Sequence, residues 1–201
     1  MSDLQRTDEW FKDRMGRVTA SQFSRLITPT GKPSTSAEGY INEILAQIFT
    51  KKLPESFTNA HIERGIELEP HALAWFEFET DIEVTESGFI KHPELEAGCS
   101  PDGLIGDNGG IEIKCPAPHT HIQYLKDGVL PAKYKAQVQG SMWVTGRDHW
   151  WFLSYQPDMK NLLIKVARDQ EYIDLLSAEV EKACAKITKD IEMIKEKYYA
   201  V

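Results

Sequence analysis

Apolar residues recur at a spacing of three and four through the C-terminal stretch of this chain, at Ile173, Leu176, Val180, Ala183, Ile187, Ile191, Ile194 and Tyr198. That spacing predicts one long helix over Asp169 to Tyr199 that packs a single seam. The seam drifts from a strict heptad, so it reads as a cover for a sheet rather than as a coiled-coil site. A second amphipathic helix is expected after Thr35 and Glu38, which are spaced as a capping box, with apolar residues at Ala37, Tyr40, Ile41, Ile44, Leu45, Ile48 and Phe49. Thr7 to Ile27 reads as helix, a break near Gly16 to Ser21, and helix again. The stretch from about Asn59 to Thr80 is helical with a start or kink at Pro70. Another helical block is expected from Pro131 to Val144.

Between these helices the period changes. Ile82 to Ile90, Gly98 to Ile105 and Gly110 to Lys114 are short, partly β-branched and punctuated by Gly, Asn and Pro, as strands of a meander are. His149 to Tyr155 and Leu162 to Ala167 add two more strands. The segment TPTGKPSTS, Thr28 to Ser36, is a loop by composition. Helices flanking a central mixed sheet make an α/β or α+β domain. With 201 residues, 41% of them hydrophobic, residues 1–201 are expected to form a single domain.

Composition narrows the setting. No run approaches the roughly 18 to 20 apolar residues of a membrane span, and the N-terminus MSDLQRTDEW is polar, so a soluble cytoplasmic protein is expected. Cys99, Cys115 and Cys184 form no C-x-x-C pair, which argues against a disulfide framework, a zinc ribbon or a four-cysteine iron–sulfur site. A net charge of -8 argues on average against a nucleic-acid partner. A local basic channel built from Arg14, Arg17, Arg25, Lys51, Lys52, Lys133 and Lys135 is compatible with that average.

The chemistry concentrates in CSPDGLIGDNGGIEIKCP, Cys99 to Pro116. Glu112 and Lys114 are two apart on one predicted strand and so face the same way. A hairpin turn through Gly106, Asp107, Asn108 and Gly109 would bring Asp102 beside that face. Two carboxylates and an ammonium would then converge, which is what metal-assisted phosphodiester cleavage requires: carboxylate oxygens for Mg²⁺, and a lysine to orient water or neutralise charge growing on the phosphate. An exposed Glu–Lys pair above a buried Ile111 and Ile113 is the plainer reading of I-E-I-K. Asp107 reads better as a turn residue than as a ligand.

An ordered series of segments, RMGRVTAS, RGIELEP followed by ALAWFEF, VTESGFI, CSPDGLI, GIEIKCP, KAQVQGSMWVTG and WWFLSYQPDMK, resembles the PD-(D/E)xK nuclease superfamily. Within it, the series is similar to the phage lambda exonuclease family of viral recombinases. The resemblance implies a restriction-endonuclease-like core with a long C-terminal helix. It implies that Asp102 and Glu112 bind metal, that the Ile113 carbonyl adds a ligand, and that Lys114 is the catalytic lysine. Glu69 looks like a further acidic member near a second metal, although a carboxylate before Pro70 also suits a helix start. A glutamine beside the site is implied, and of Gln137 and Gln139 the former is favoured, since residues two apart cannot share a helical face. Tyr134 either borders that face or is a core aromatic.

Arg14, Ser21 and Ser100 match the family's pocket for a terminal 5′-phosphate, chemistry that a guanidinium fork and hydroxyl donors suit. Read alone, Arg14 would be an exposed helix arginine, Ser21 a cap and Ser100 a turn residue. Trp10 is implied to contact the DNA end or, read alone, to be buried. The resemblance further implies a two-metal Mg²⁺ site in which Mn²⁺ can substitute, and processive 5′→3′ digestion of one strand of linear double-stranded DNA to leave a 3′ overhang. A homotrimeric ring, a single-strand annealing partner and a phage or prophage source in a bacterial host come with it. A related endonuclease, or a non-catalytic DNA-binding recombination scaffold, are the alternatives.

Overall fold

The computed structural model describes residues 4–5, 7–52 and 60–199. In chain order come helix α1 (Asp8–Arg14), strand β1 (Val18–Thr19), a 3-10 turn (Ala20–Arg25), α2 (Ala37–Thr50), α3 (Ala60–Thr80), β2 (Ile90–Lys91), β3 (Ala97–Cys99), β4 (Gly103–Ile105) and β5 (Gly109–Lys114). Helix α4 (Pro118–Asp127), a 3-10 turn (Ala132–Tyr134), α5 (Lys135–Thr145), β6 (His149–Ser154), β7 (Leu162–Ala167) and α6 (Gln170–Tyr198) follow. The strands form a three-stranded sheet ordered β1-β3-β2 and a four-stranded sheet ordered β4-β5-β6-β7. Both mix parallel and antiparallel pairs, since β1 runs parallel to β3 and β5 parallel to β6 while the other neighbours are antiparallel. This is the mixed α/β architecture with a long C-terminal helix that the sequence predicts.

The alternation in GGIEIK decides how the larger sheet is covered. Ile111 and Ile113 point to one face, where they pack with Ala72 and Phe76 of α3 and Leu153 of β6. Burying each isoleucine contributes roughly 1.5–3 kcal/mol before chain entropy is counted. The opposite face carries Gly110, Glu112 and Lys114, and α5 lies over it. Gly110 has to be glycine, because a Cβ there would stand 2.3 Å from the Trp150 indole. Trp150 packs in turn with Val138 and Met142 of α5. Parallel pairing of β5 with β6 requires a crossover, and α4 and α5 supply it.

Helix α6 buries Tyr172, Ile173, Leu176, Val180, Ala183 and Ile187 against α2, α5 and the smaller sheet. Further on, the seam opens to solvent, and Tyr198 is exposed.

Several boundaries differ from expectation. The second N-terminal helix is instead β1 and a 3-10 turn: Gly16, at φ +74°, ends α1, and the β-branched Val18 and Thr19 pair with β3. Helix α2 is N-capped at Ser36 without a side-chain bond. Thr35 and Glu38 therefore make no capping box, and Glu38 lies 3.6 Å from Lys186 of α6. Helix α3 runs through Pro70 as one element, while Asn59, its expected start, lies outside the described residues. Of Ile82 to Ile90, only Ile90 reaches a strand, with Thr85 bridging Leu104 singly. Gly98 to Ile105 divides into β3 and β4, in different sheets, at Pro101, which has no N–H for a ladder. The block from Pro131 opens as a 3-10 turn before α5, and α4 was not anticipated.

Candidate active site

The β4–β5 hairpin assembles the acidic centre. Its turn passes through Gly106, at φ +48°, and Asp107 is an exposed turn residue. The register Gly103 to Ile111 sets Asp102 beside Glu112. Asp102 Oδ2 accepts the Ile113 N–H at 2.6 Å, which anchors the half-buried carboxylate to the neighbouring strand. Glu112 is 1% exposed. Its Oε1 accepts from both Lys114 Nζ and Gln137 Nε2, the latter at 2.6 Å, whereas its Oε2 is buried with no hydrogen-bond partner. The plain reading of I-E-I-K as an exposed surface pair is thereby excluded.

Electrostatics follow from this crowding. Burial, and next the Glu112 carboxylate, push the Asp102 carboxyl well above the usual carboxylate range, with Glu69 adding to the effect. Burial opposes the Lys114 charge, but Glu112 and Asp102 more than offset it and hold the ammonium above its ordinary value. Lys114 is therefore held as a cation at neutral pH. Burial pushes the adjacent Cys115 thiol up to about 11, which leaves it protonated rather than a thiolate ligand or nucleophile.

These groups open into a cleft of about 650 Å³ that Glu69, Asp102, Lys114, His119, Lys133 and Tyr134 help to line. A smaller cavity of about 160 Å³ continues past Glu69 and Asp102 toward Glu77 and Glu86. Among the described residues no three His, Cys, Asp or Glu side chains stand close enough to enclose an ion. Asp102 and Glu112 are thus a pair, and Glu69 lines the cleft wall. An oxygen-only pair with one orphaned buried oxygen fits a hard divalent cation that keeps most of its waters, as Mg²⁺ does. It does not fit a soft or fully caged metal.

Gln139 is engaged elsewhere than Glu112. Its Nε2 donates to the Ala167 carbonyl at 3.0 Å and its Oε1 accepts the Asp169 N–H at 2.9 Å, tying α5 to the start of α6. Tyr134 serves both readings, since it lies 5.3 Å from the Phe152 ring and 5.3 Å from Lys114 Nζ. Glu67 is exposed.

A second polar cluster gathers residues that are far apart in sequence. Arg14 Nη1 donates to Ser100 Oγ at 2.8 Å, and Trp10 Nε1 donates to the same oxygen at 3.0 Å. Arg14 Nη2 reaches Ser21 Oγ at 3.5 Å. The guanidinium carbon stands 4.3 Å from the centre of the Trp10 ring. Trp10 is half-buried rather than a core residue, and Arg14 is not a free surface arginine. Burial lowers the Arg14 pKa from its ordinary value, though not enough to discharge it.

The expected basic channel is only partly present. Arg17 pairs with Glu96 at 3.0 Å, Arg25 with Glu43 at 2.5 Å and Lys135 with Asp169 at 3.0 Å, so these three are neutralised within the chain. Lys51 and Lys52 are exposed. His119 is a cleft residue that sequence reasoning missed, because α4 itself was missed. Arg64 was missed as well: it donates to the Cys115 and Pro116 carbonyls at 3.3 and 3.1 Å and to Gln156 Oε1 at 2.7 Å, fastening α3 to the strand end that carries Lys114. Its place in RGIELEP, just ahead of Glu69, was the available signal.

Residues 9–148 match the family model of the YqaJ-like viral recombinase domain. The chain superposes on an alkaline exonuclease, LHK-Exo, from Laribacter hongkongensis with a TM-score of 0.87 and 39% identity, covering 95% of this chain and 97% of that one. A structure of LHK-Exo in complex with dAMP matches with the same TM-score and 38% identity, over the same shares of both chains. A phage related exonuclease from Haemophilus somnus 129PT shares the fold at a TM-score of 0.70 and 17% identity, over 89% of this chain and 96% of that one. The protein ExoD of Escherichia coli (strain K12) is 40% identical over 47 residues, which are 22% of this chain and 54% of that relative's length.

Proposed function

Since the chain belongs to the YqaJ-like viral recombinase family, we propose that it is a metal-dependent exonuclease that digests one strand of linear double-stranded DNA from its 5′ end and leaves a 3′ overhang for single-strand annealing. The observation that carries this reading is the buried Glu112, with one oxygen fixed by Lys114 and Gln137 and the other unpartnered beside Asp102. Its nearness to a known alkaline exonuclease over almost the whole chain supports a nuclease in particular.

Asp102 and Glu112 are the residues to hold Mg²⁺, with the Ile113 carbonyl as a further oxygen and Glu69 toward a second ion; Mn²⁺ would satisfy the same donors. Such an ion, when bound, polarises the phosphate and acidifies a water. Lys114 supplies positive charge where the attacked phosphate gains negative charge. Gln137 keeps Glu112 from rotating. Arg14, with Ser21, Ser100 and Trp10, forms an anion site suited to a terminal 5′-phosphate, which would orient the strand toward the carboxylates.

An acidic chain has a weak electrostatic hold on DNA, so continuous digestion calls for enclosure, and a homotrimeric ring is the assembly proposed. Its solution mass would be three times 22.9 kDa. The partner is then an annealing protein that takes the exposed strand.

The deciding experiment uses linear duplex labelled at either the 5′ or the 3′ end, and a covalently closed circle, each with Mg²⁺ or EDTA. Early release of the 5′ label in Mg²⁺ alone, with the circle intact, is expected. Cutting of the circle would identify an endonuclease, and binding without cleavage a scaffold.

A further inference from the structure

We infer that Lys133 binds a backbone phosphate of the strand being cut, next to the phosphate presented to Lys114. This rests on the nuclease reading above and adds a contact that the acidic centre does not supply. Among the described residues Lys133 makes no ion pair, whereas Arg17, Arg25, Lys114 and Lys135 each have a carboxylate partner. Lys133 is exposed, and it lines the same cleft as Asp102 and Lys114. Its position is fixed without an anion: Nζ lies 5.4 Å from the Tyr124 ring centre and 4.9 Å from that of Tyr134. Aromatic faces attract an ammonium but do not neutralise it.

The same Tyr134 ring has Lys114 Nζ at 5.3 Å, so two ammoniums flank one aromatic side chain. Successive nucleotides of a strand advance by roughly 3.4 Å along the duplex axis. A strand with one phosphate at Lys114 therefore brings a neighbouring phosphate within reach of Lys133. Opposite, the cleft presents Glu69 and Asp102, which repel phosphates unless metal covers them. In a chain of net charge -8, a cation that is held in the cleft and has no ion pair among the described residues is placed for an anionic ligand from outside.

The chemistry fixes a quantitative test, because each lysine–phosphate contact releases counterions and adds about 0.9 to the steepness of log affinity against log salt on duplex DNA. We would measure kcat/KM for nucleotide release from a linear duplex across a NaCl series for wild type, Lys133→Met and Lys133→Arg, and binding of the same duplex by fluorescence anisotropy with Ca²⁺ in place of Mg²⁺, so that the carboxylates are covered. The expected result is a slope shallower by about 0.9 in Lys133→Met in both measurements, with the loss falling on KM, and a wild-type slope in Lys133→Arg. An unchanged slope in Lys133→Met, with wild type releasing nucleotides normally, overturns the inference and leaves the nuclease reading intact. A shallower binding slope in Lys133→Met, together with a wild-type protein that releases no nucleotides, keeps the phosphate contact and removes the nuclease reading.

Discussion

Gln137 reaches from α5 across to Glu112 on β5, with Nε2 2.6 Å from the carboxylate Oε1, and so shares that oxygen with Lys114. The consequence is an asymmetric carboxylate: two donors hold one oxygen, and the other is buried without a hydrogen-bond partner. A residue that aims a ligand without reacting is worth about 10–100-fold in activity or metal affinity. Gln137→Ala is expected to lose activity in that range with a raised Mg²⁺ requirement and little change in melting temperature. Gln137→Glu is expected to do worse, since it sets a second carboxylate against a buried one. Wild-type Mg²⁺ dependence in both variants would show that Gln137 only packs.

Asp102→Ala, Glu112→Ala and Lys114→Ala are each expected to lower cleavage by at least about 10²–10³-fold while leaving a folded protein, because each removes charge from the reacting centre rather than apolar core. Circular dichroism and thermal melting should resemble wild type. Folded variants with near-normal turnover would remove the assignment of the centre.

Much of this centre was legible because strand geometry is short-range. The two-residue period of GGIEIK settles that Ile111 and Ile113 share one face and Glu112 and Lys114 the other, whatever the rest of the chain does. The hairpin through Gly106 needed only a turn. What was not legible depended on long-range partners. Val18 and Thr19 form a strand only because Ala97 and Gly98 lie beside them. Arg17, Arg25 and Lys135 look like a DNA channel until Glu96, Glu43 and Asp169 are placed next to them. Helix α4 is short and mostly polar, PHTHIQYLKD, yet it lines the cleft with His119 and buries His121, whose Nδ1 and Nε2 bond Ser154 Oγ at 2.7 Å and the Lys160 carbonyl at 2.9 Å.

The start of α6 provides a test of stability rather than of chemistry. Asp169 caps the helix by accepting the Tyr172 N–H at 3.0 Å, and it pairs with Lys135. The Tyr172 N–H first, and then Lys135, hold its carboxyl below the usual range. Because the folded pKa is depressed, the contribution is complete above the unfolded value of about 3.9 and disappears as pH falls through the lower folded value. Asp169→Ala is expected to cost about 1 kcal/mol at neutral pH, and Asp169→Asn less. The difference between Asp169→Asn and wild type in urea midpoint should shrink as pH drops below about 4. A difference that is constant from neutral to acid pH would show that the charge contributes nothing.

The cluster around Ser100 makes the sharpest prediction about the DNA end. A serine hydroxyl has two acceptor positions and one donor. Arg14 Nη1 and Trp10 Nε1 both donate to Ser100 Oγ, at 2.8 and 3.0 Å, so its acceptor positions are taken and its proton is left to be given outward. Arg14 has Nη2 only loosely engaged, 3.5 Å from Ser21 Oγ. A terminal phosphate entering here would meet one guanidinium and two hydroxyls, all donors, and no carboxylate of the cluster opposes it. Wild type is therefore expected to digest a 5′-phosphorylated duplex much faster than a 5′-hydroxyl duplex. Arg14→Ala should lose most of that preference while still cutting both ends slowly, since the carboxylates and Lys114 remain in place. Ser100→Ala should lose part of it, because the hydroxyl is one donor among several and the charge stays. Competition between the two duplexes in one reaction reads the ratio directly, free of differences in enzyme amount. If Arg14→Ala keeps the full ratio, the end is recognised elsewhere and this cluster only fastens α1 to the residues before β4.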